Sequence, residues 1–245
     1  MGRQMIATHQ RSPFDFILTA GDNIYPSGNG RDFVKKFERP FAALLHERVN
    51  VYATLGNHDI VGGRQDQCQY PLFNMSGRCY YTLQRGEGLA EFFMLDTTDF
   101  DRAQTGWLEQ ALRASAAKWK IAVFHHPLYS SGKRHGHDLK LRRTLEPLFQ
   151  RYQVNVVFSG HDHIYERSKP QQGINYFVTG AGGKVRRGGV DLKSPTRAVS
   201  YDQDNHFMLI ELDERQLRFQ ALSETGLIID HGMIERTPIP AENRD

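Results

Sequence analysis

The sequence is poor in cysteine and has no long apolar run. Its 245 residues include two cysteines, Cys68 and Cys79, which excludes a disulfide-scaffold protein and a four-cysteine zinc site. No apolar run approaches the roughly 20 residues that a membrane-spanning helix needs, and the opening MGRQMIATHQ resembles neither a signal peptide nor an anchor. Internal repeats, low-complexity tracts and proline-rich linkers are also missing. We therefore expect one domain over residues 1–245, with no membrane span and no nucleic-acid-binding domain.

The sequence also has no strong excess of positive or negative charge. The 31 Lys and Arg residues nearly balance the 28 Asp and Glu residues, for a formal net charge of +3. That balance alone does not argue for a nucleic acid or a membrane surface as partner. Histidine, in contrast, is plentiful: there are 11, and seven fall between His58 and His163. Because histidine is the commonest metal ligand and a frequent acid/base group, its placement is the feature to explain.

The first two-thirds of the chain alternates apolar runs with helical patterns. The predicted strands are 14–20, 49–55, 91–95, 120–124 and 154–158. The predicted helices are 31–48, 105–115 and 139–152, with breaks or kinks expected at Pro40 and Pro147. Continuous apolar strands are typical of a sheet covered on both faces, which predicts an α/β fold. Strands at 175–179, 207–212, 216–222 and 227–234 predict an antiparallel meander in a second sheet.

Five polar motifs lie at the ends of these strands or in loops that follow them. They are GDNIY (21–25), GNHD (56–59), HHP (125–127), SSGKRHGHD (130–138) and GHDHIYER (160–167). In open α/β sheets, ligand sites lie beyond the carboxyl ends of the strands. The position of the motifs therefore predicts a common site.

The first two motifs supply different kinds of donor. Gly21 permits a sharp exit from the strand and puts Asp22 at its tip, where a carboxylate is able to bridge two cations near the Tyr25 phenol. The Asn57 amide oxygen can coordinate a metal, and His58 is suited to proton transfer. Taken alone, an Asx turn explains the first motif, and a turn with a surface histidine explains the second.

The third and fourth motifs are less specific. His125 and His126 are adjacent and point in different directions, so we expect one to be a ligand and the other to pack at the strand end. In the loop 130–138, His135 is the better candidate for a substrate contact and His137 the weaker one. A solvated loop is the alternative for this segment.

The fifth motif is the most informative. His161 and His163 flank Asp162 just after a buried strand, so the two imidazoles can serve two metals on either side. Together the five motifs offer carboxylate, amide, imidazole and phenol donors. This set suits iron, zinc or manganese rather than a soft thiolate metal.

As a set, GDNIY, GNHD, FHHP and GHDHIYER resemble the calcineurin-like metallophosphoesterases, and Tyr25 and the YER tail resemble the purple acid phosphatase branch. The resemblance implies a four-layer sandwich of two mixed β-sheets flanked by helices. Residues 1–167 would carry the metal-site motifs, and residues 168–245 the C-terminal strands of the second sheet.

The resemblance also implies six metal ligands: Asp22, Tyr25, Asn57, His125, His161 and His163. Asp22 would bridge two metal ions, with Tyr25 and His163 completing one site and the other three residues completing the second. The metals would be iron paired with zinc, manganese or iron. His58 would contact the phosphate and protonate the leaving group, and His135 would assist.

The implied function is hydrolysis of a small phosphorylated substrate, most simply a phosphomonoester, by a hydroxide held at a dinuclear centre. The alternatives are a phosphodiesterase or nucleotide hydrolase on the same site, and a one-metal protein without turnover. The last alternative arises because the family begins with a strand ending in Asp-x-Gly or Asp-x-His, and this chain has no such strand.

The departure predicts a sheet that lacks its first strand and a Tyr25/His163 site that lacks a carboxylate. One explanation is that Met1 is a misplaced start and that the natural protein carries the strand behind a signal peptide, which would make it extracytoplasmic. The other is a weakened site that holds one metal tightly through Asp22, Asn57, His125 and His161.

Three features stay outside this scheme. The segment 180–189, GAGGKVRRGG, is expected to be a solvated basic loop, with contact to an anionic substrate as the alternative. Cys68 and Cys79 are equally compatible with a disulfide and with two free thiols. His126 and His137 have no assigned role, and four more histidines are expected to be surface or packing residues: His9, His46, His206 and His231.

Overall fold

The computed structural model describes residues 1–236. Its α-helices are α1 (Gly2–Arg11), α2 (Arg39–His46), α3 (Arg64–Gln69), α4 (Arg102–Ala114) and α5 (Leu139–Arg151). Its strands are β1 (Phe16–Thr19), β2 (Asn50–Ala53), β3 (Tyr81–Arg85), β4 (Ala90–Met94), β5 (Trp119–Phe124), β6 (Val156–Ser159), β7 (Tyr165–Ser168), β8 (Asn175–Thr179), β9 (Arg197–Tyr201), β10 (His206–Leu212), β11 (Gln216–Ser223) and β12 (Ile228–Glu235). Residues 237–245, the end of the predicted domain, lie outside the described residues.

A seven-stranded mixed sheet forms the centre, in the order β3-β4-β5-β6-β8-β7-β9. Strands β4, β5, β6 and β8 run parallel, and β3, β7 and β9 pair antiparallel to their neighbours. The parallel strands are buried along nearly their whole length, as their continuous apolar runs predict. Helices α4 and α5 cover one face, where Leu108 and Leu145 pack with Phe124.

A second layer of strands faces the other side of the large sheet. It consists of the parallel pair β1-β2 and the antiparallel meander β10-β11-β12, which confirms the predicted meander for 207–212, 216–222 and 227–234. The prediction was wrong for 175–179, because this strand, β8, lies in the central sheet and pairs parallel to β6. Phe219 of β11 and Phe177 of β8 meet across the interface with ring centroids 5.0 Å apart. Helices α1 and α2 cover the outer side through Met5 and Leu44. The result is the expected α/β arrangement of two strand layers between helices, with the second layer divided into two sheets.

The local predictions differ from the structure in a few places. The helix expected over 31–48 is a 3₁₀ turn, a π-helical turn and then α2, with Pro40 in the first turn of α2, where its missing N–H is tolerated. Helix α5 runs continuously through Pro147. Strands β7 and β9 and helix α3 were not predicted, because they are short and carry no clear apolar period. No helix within residues 1–236 is long and apolar enough to cross a bilayer.

We expect His206 to make the folded protein less stable in acid. The side chain is 1% exposed at the start of β10, and its Nε2 lies 3.0 Å from the Thr179 hydroxyl. Burial lowers the pKa of His206 to about 3, whereas an unfolded histidine titrates near 6.5. Between these values the unfolded chain binds one more proton, so the free energy of unfolding falls as the pH falls.

Replacement of His206 by Gln should therefore flatten the decline in the free energy of unfolding between pH 6 and pH 4, by up to about 1.4 kcal/mol per pH unit. Denaturant melts of the apoprotein at several pH values measure this slope. The exposed His46→Gln variant should keep the wild-type slope. Equal slopes for H206Q and wild type would show that His206 does not carry the effect.

Candidate metal centre

The carboxyl ends of two strand pairs meet at one place. Asp22 follows β1, and Asn57 follows β2, its parallel partner. The two loops approach so closely that a Cβ on Gly56 would lie 2.3 Å from Asp22 Oδ1. Asp22 adopts the left-handed conformation, with φ of 56°, which few residues other than glycine adopt without cost. Glycine in the facing loop and strained backbone at Asp22 together place its carboxylate at the junction.

Four donor atoms converge in a first cluster. Asn57 Oδ1 lies 3.0 Å from both His125 Nε2 and His161 Nδ1, and these two nitrogens are 3.1 Å apart. His125 Nε2 is also 3.4 Å from Asp22 Oδ1. His161, like Asp22, has a positive φ, 65°. The loops after β5 and β6 thus supply imidazoles to the donors that follow β1 and β2.

The chemistry of this donor set fits a cation. His125 Nδ1 lies 2.8 Å from the Ala20 carbonyl oxygen, which only accepts, so Nδ1 carries the proton and Nε2 has a lone pair. That lone pair faces the Asn57 amide oxygen and an oxygen of Asp22, two further acceptors. These two contacts of His125 Nε2 bring acceptor atoms together without a proton between them, and a cation would turn each of these atoms into a ligand.

A second cluster lies on the other oxygen of the same carboxylate. The Tyr25 hydroxyl donates to Asp22 Oδ2 at 2.8 Å and lies 2.9 Å from His163 Nε2. Within residues 1–236, the Tyr25 hydroxyl has no other hydrogen-bond partner. Asp22 therefore faces one donor cluster with each of its oxygens, and the second cluster has fewer donors than the first.

Burial keeps the three predicted histidine ligands neutral. It lowers the pKa of His125 to about 4, against the opposing charge of Asp22. It lowers the pKa of His161 to about 2, helped by the neighbouring histidines. His163 has a pKa of about 4 through burial and then through Lys184. Because a metal binds the neutral imidazole, these shifts keep the ligands available at neutral pH.

His126 belongs to this histidine cluster, although no role was predicted for it. Ligand atoms of His125, His126 and His161 all lie within 4.8 Å of one another. The His126 Nδ1 is 3.0 Å from the Thr97 hydroxyl, which fixes the ring. The pair of adjacent histidines in the sequence indicates that both rings lie near the site, but it does not predict the orientation of either ring.

A buried carboxylate that is not a proposed ligand joins the first two motifs. Asp59 is fully buried and accepts backbone N–H bonds from Asn23, Ile24 and Gly56 at 2.9–3.0 Å. The side-chain amides of Asn23 and Gln67 also donate to it, at 3.2 and 2.7 Å. Burial raises the pKa of Asp59 to about 6, opposed by these bonds. Asp59 therefore locks the GDNIY loop to the GNHD loop.

Two further carboxylates hold the loop 130–138. Asp162 accepts bonds from the Ser130 hydroxyl at 2.6 Å and from the Gly136 backbone at 3.1 Å. Glu166 accepts bonds from the backbone and the hydroxyl of Ser131. The segment is thus anchored to the GHDHIYER motif rather than being a free solvated loop, and it brings the His135 ring to 4.1 Å from the His161 ring.

A cavity of about 230 Å³ opens over the clusters. Six of the predicted site residues line it: Asp22, Asn57, His58, His135, His161 and His163. His58 Nδ1 pairs with the Pro26 carbonyl at 2.7 Å, and its ring packs on Tyr25. Three cations complete the lining: Arg134, Lys184 and Arg186. For Lys184 and Arg186, the structure favours contact with the site over the expected solvated loop.

Residues 3–165 match the family model described as calcineurin-like phosphoesterase. The chain belongs to this family. It is a hydrolase of phosphoric ester bonds, and its relatives put it in the purple acid phosphatase-like branch. Purple acid phosphatase 3 of Arabidopsis thaliana is 28% identical over 93% of this chain and 70% of its own length. Tartrate-resistant acid phosphatase type 5 of Rattus norvegicus is 28% identical over 97% of this chain and 84% of its own length.

Solved structures support the fold. GAP50, described as the anchor in the inner membrane complex of Plasmodium, superposes with a TM-score of 0.82 at 19% identity, covering 97% of this chain and 83% of its own. Purple acid phosphatase PPD1 from yellow lupin (Lupinus luteus) seeds gives 0.75 at 20% identity, covering 96% of this chain and 48% of its own. A dimetal phosphatase from Danio rerio gives 0.70 at 13% identity, covering 96% and 88%.

Replacement of Asp59 by Asn should destabilise this phosphoesterase and loosen the candidate metal centre. One acceptor oxygen becomes an NH₂ group that points at donors, so we expect a loss of about 3 kcal/mol in the free energy of unfolding. Denaturant melts measure the loss, and calorimetric titration with Mn²⁺ measures the accompanying fall in metal affinity. The exposed Asp15→Asn variant is the matched control. Unchanged stability and affinity in D59N would contradict a locking role.

Proposed function

We propose that the chain is a dinuclear metallophosphoesterase that hydrolyses phosphomonoesters in the manner of an acid phosphatase. The observation that carries the proposal is the Asp22 carboxylate, which presents one oxygen to each of two donor clusters. Asn57, His125 and His161 would hold one metal with it, and Tyr25 and His163 the other. The neutral state of the three imidazoles supports this assignment.

When bound, two cations lower the pKa of a water molecule and neutralise charge on the phosphoryl oxygens. The rest of the chemistry falls to residues of the cavity wall. A phosphate group held there faces the three cationic side chains Arg134, Lys184 and Arg186. These side chains orient the dianion and favour its approach over that of a neutral molecule.

His58 is the proposed proton donor to the leaving oxygen. Its backbone N–H donates to Asp22 Oδ1 at 2.9 Å, and its Nδ1–H can donate to the Pro26 carbonyl at 2.7 Å. In the cationic form of the ring, Nε2 carries the second proton and is the nitrogen free to deliver it. Because a leaving alkoxide develops negative charge as the P–O bond breaks, a proton at this position lowers the barrier. His135, at the rim beside His161, would assist.

Iron paired with zinc, manganese or iron remains the proposed metal content, on the basis of the donor types and of the purple acid phosphatase relatives. An oxidising, extracytoplasmic compartment is proposed as the site of action. It is supported by the disulfide between Cys68 and Cys79, whose Cα atoms are 5.4 Å apart, because such bonds form mainly outside the reducing cytosol.

Replacement of Asp22 by Ala should remove both metals. One carboxylate serves both clusters, so its loss takes a negative charge and a ligand from each. Elemental analysis of the purified protein should find about two metal ions per chain in wild type and far fewer in D22A, with circular dichroism to show that the variant folds. The exposed Asp99→Ala variant should keep its metals. Retention of two ions by folded D22A would contradict the bridging role.

Replacement of His58 by Ala should lower kcat for p-nitrophenyl phosphate by about 10²–10⁴-fold and leave the metal content unchanged, because this side chain donates a proton rather than a ligand lone pair. His137→Ala, in an exposed histidine, should retain wild-type turnover. Loss of metal in H58A would mean that His58 is a ligand. Preference of the wild-type enzyme for bis-p-nitrophenyl phosphate would replace the monoesterase by a diesterase, and no turnover with both metals present would overturn the proposal.

A further inference from the structure

Three histidines lie close together at the first donor cluster, and one of them has no task in the proposed function. His125 and His161 are proposed ligands, whereas His126 is not. The ligand atoms of all three lie within 4.8 Å of one another. The ring centroid of His126 is 5.0 Å from that of His125 and 4.7 Å from that of His161. The first cluster therefore has a third imidazole beside the two that the proposed metal site uses.

The spacing of the three imidazoles suits a shared ion. Zinc binds an imidazole nitrogen at about 2.0–2.1 Å, so two nitrogens on opposite sides of the ion are about 4.2 Å apart. The 4.8 Å bound on the three ligand atoms exceeds this span by about 0.6 Å. A shift of that size or less brings the nitrogens of His125, His126 and His161 around one ion.

Thr97 engages one ring nitrogen of His126 and leaves the other available. Thr97 follows β4 and His126 follows β5, and these strands are parallel neighbours. The His126 backbone N–H donates to the Thr97 hydroxyl oxygen at 3.1 Å, and His126 Nδ1 lies 3.0 Å from the same oxygen. Because a hydroxyl oxygen has two lone pairs, it can accept both the backbone N–H and the Nδ1–H. Nε2 then carries the lone pair of the ring, and it has no hydrogen-bond partner among residues 1–236.

Buried contacts fix the loop that carries Thr97. Asp96 is 1% exposed, and its backbone N–H and carbonyl both bond to the side-chain amide of Gln104 at 2.9 Å. Arg64 forms an ion pair with the Asp96 carboxylate and donates to the Thr98 hydroxyl at 2.8 Å. Thr97 is thus held between two anchored neighbours. A metal-binding histidine usually has its second ring nitrogen fixed by such a partner, which orients the ring before an ion binds.

We propose that His126 is a third imidazole ligand of the metal at the first cluster, beside His125 and His161. This inference rests on the proposed function and adds a ligand to its metal centre. The second cluster has a single imidazole, His163, among carboxylate and phenol oxygens. The two clusters therefore differ in donor type, with nitrogen prevailing in the first and oxygen in the second.

This difference gives the first cluster a metal preference. Imidazole nitrogen suits zinc, copper and iron, whereas manganese prefers carboxylate, carbonyl and water oxygens. A third imidazole therefore favours Zn²⁺ over Mn²⁺ at the first cluster. Loss of His126 should reduce this selectivity rather than weaken both ions equally.

The variant His126→Asn tests the assignment by its metal selectivity. The asparagine amide reaches the position of Nδ1 and keeps a polar contact for Thr97, but it has no atom at the position of Nε2. Calorimetry would compare Zn²⁺ and Mn²⁺ in the His163→Ala background, which removes the imidazole of the second cluster. Addition of H126N should lower the ratio of the Zn²⁺ to the Mn²⁺ affinity about tenfold or more.

The control is His46→Asn, which replaces an exposed histidine of α2 and should leave the affinity ratio unchanged. Denaturant melts of the apoproteins would show that each variant folds. A ratio in folded H163A/H126N within about twofold of that in H163A would overturn the inference.

A spectroscopic count of ligands does not depend on a variant of His126. Electron spin-echo envelope modulation counts the imidazoles bound to one equivalent of Cu²⁺ in the H163A protein. The count should include all three imidazoles of the first cluster, His125, His126 and His161, and should be lower by one after addition of H126N. A count in H163A that accounts for His125 and His161 alone would overturn the inference even if H126N did not fold.

The inference and the proposed function fail separately. If the wild-type protein binds two metals without hydrolysing p-nitrophenyl phosphate, and H126N lowers the imidazole count, the proposed function is overturned and His126 is supported as a ligand. Hydrolysis by the wild-type protein with an imidazole count that H126N leaves unchanged would support the proposed function and overturn the role of His126.

Discussion

The constraint on which the site depends is the crowding of lone-pair donors at one place. Donor atoms of Asp22, Asn57, His125 and His161 lie within 3.0–3.4 Å of one another along the contacts that join them. Side chains free to move would separate and become hydrated. Here they cannot, because each lies in a loop that follows the end of a strand. The energy of folding two sheets against each other, rather than any attraction among the ligands, holds the cluster together.

Buried carboxylates convert the strand ends into a fixed site. Asp59 joins the loops after β1 and β2, while Asp162, which follows β6, and Glu166, in β7, attach the loop 130–138. Each replaces water as the acceptor for backbone N–H groups that no strand or helix satisfies. Proposed ligands and supporting residues therefore alternate along one motif, as in GHDH, where Asp162 stands between two imidazoles.

Much of this could be predicted from the sequence, and the exceptions share a cause. Apolar runs predicted the parallel strands, and the motifs at their ends predicted the donors, because hydrophobic pattern and side-chain chemistry can be read locally. The engagement of His126 with Thr97, the supporting role of Asp59 and the position of Arg186 depend on partners 29 to 36 residues away or in another loop. Residue type alone does not encode such pairings. From its residue types alone, the basic segment 180–189 is therefore predicted to be a solvated loop. The hydrogen bond from the Arg186 N–H to the His163 carbonyl places it beside the candidate metal centre.

The cationic side chains of the cavity wall and the neutral histidines of the donor clusters have complementary electrostatic roles. A site for phosphate needs positive charge. A protonated imidazole would provide that charge, but its nitrogen could then no longer bind a metal. At His163, burial is the largest cause of the lowered pKa, and the nearby Lys184 and Arg186 lower it further. Positive charge is thus carried by lysine and arginine side chains outside the donor clusters, where it attracts an anion and at the same time favours the unprotonated form of the inner nitrogens.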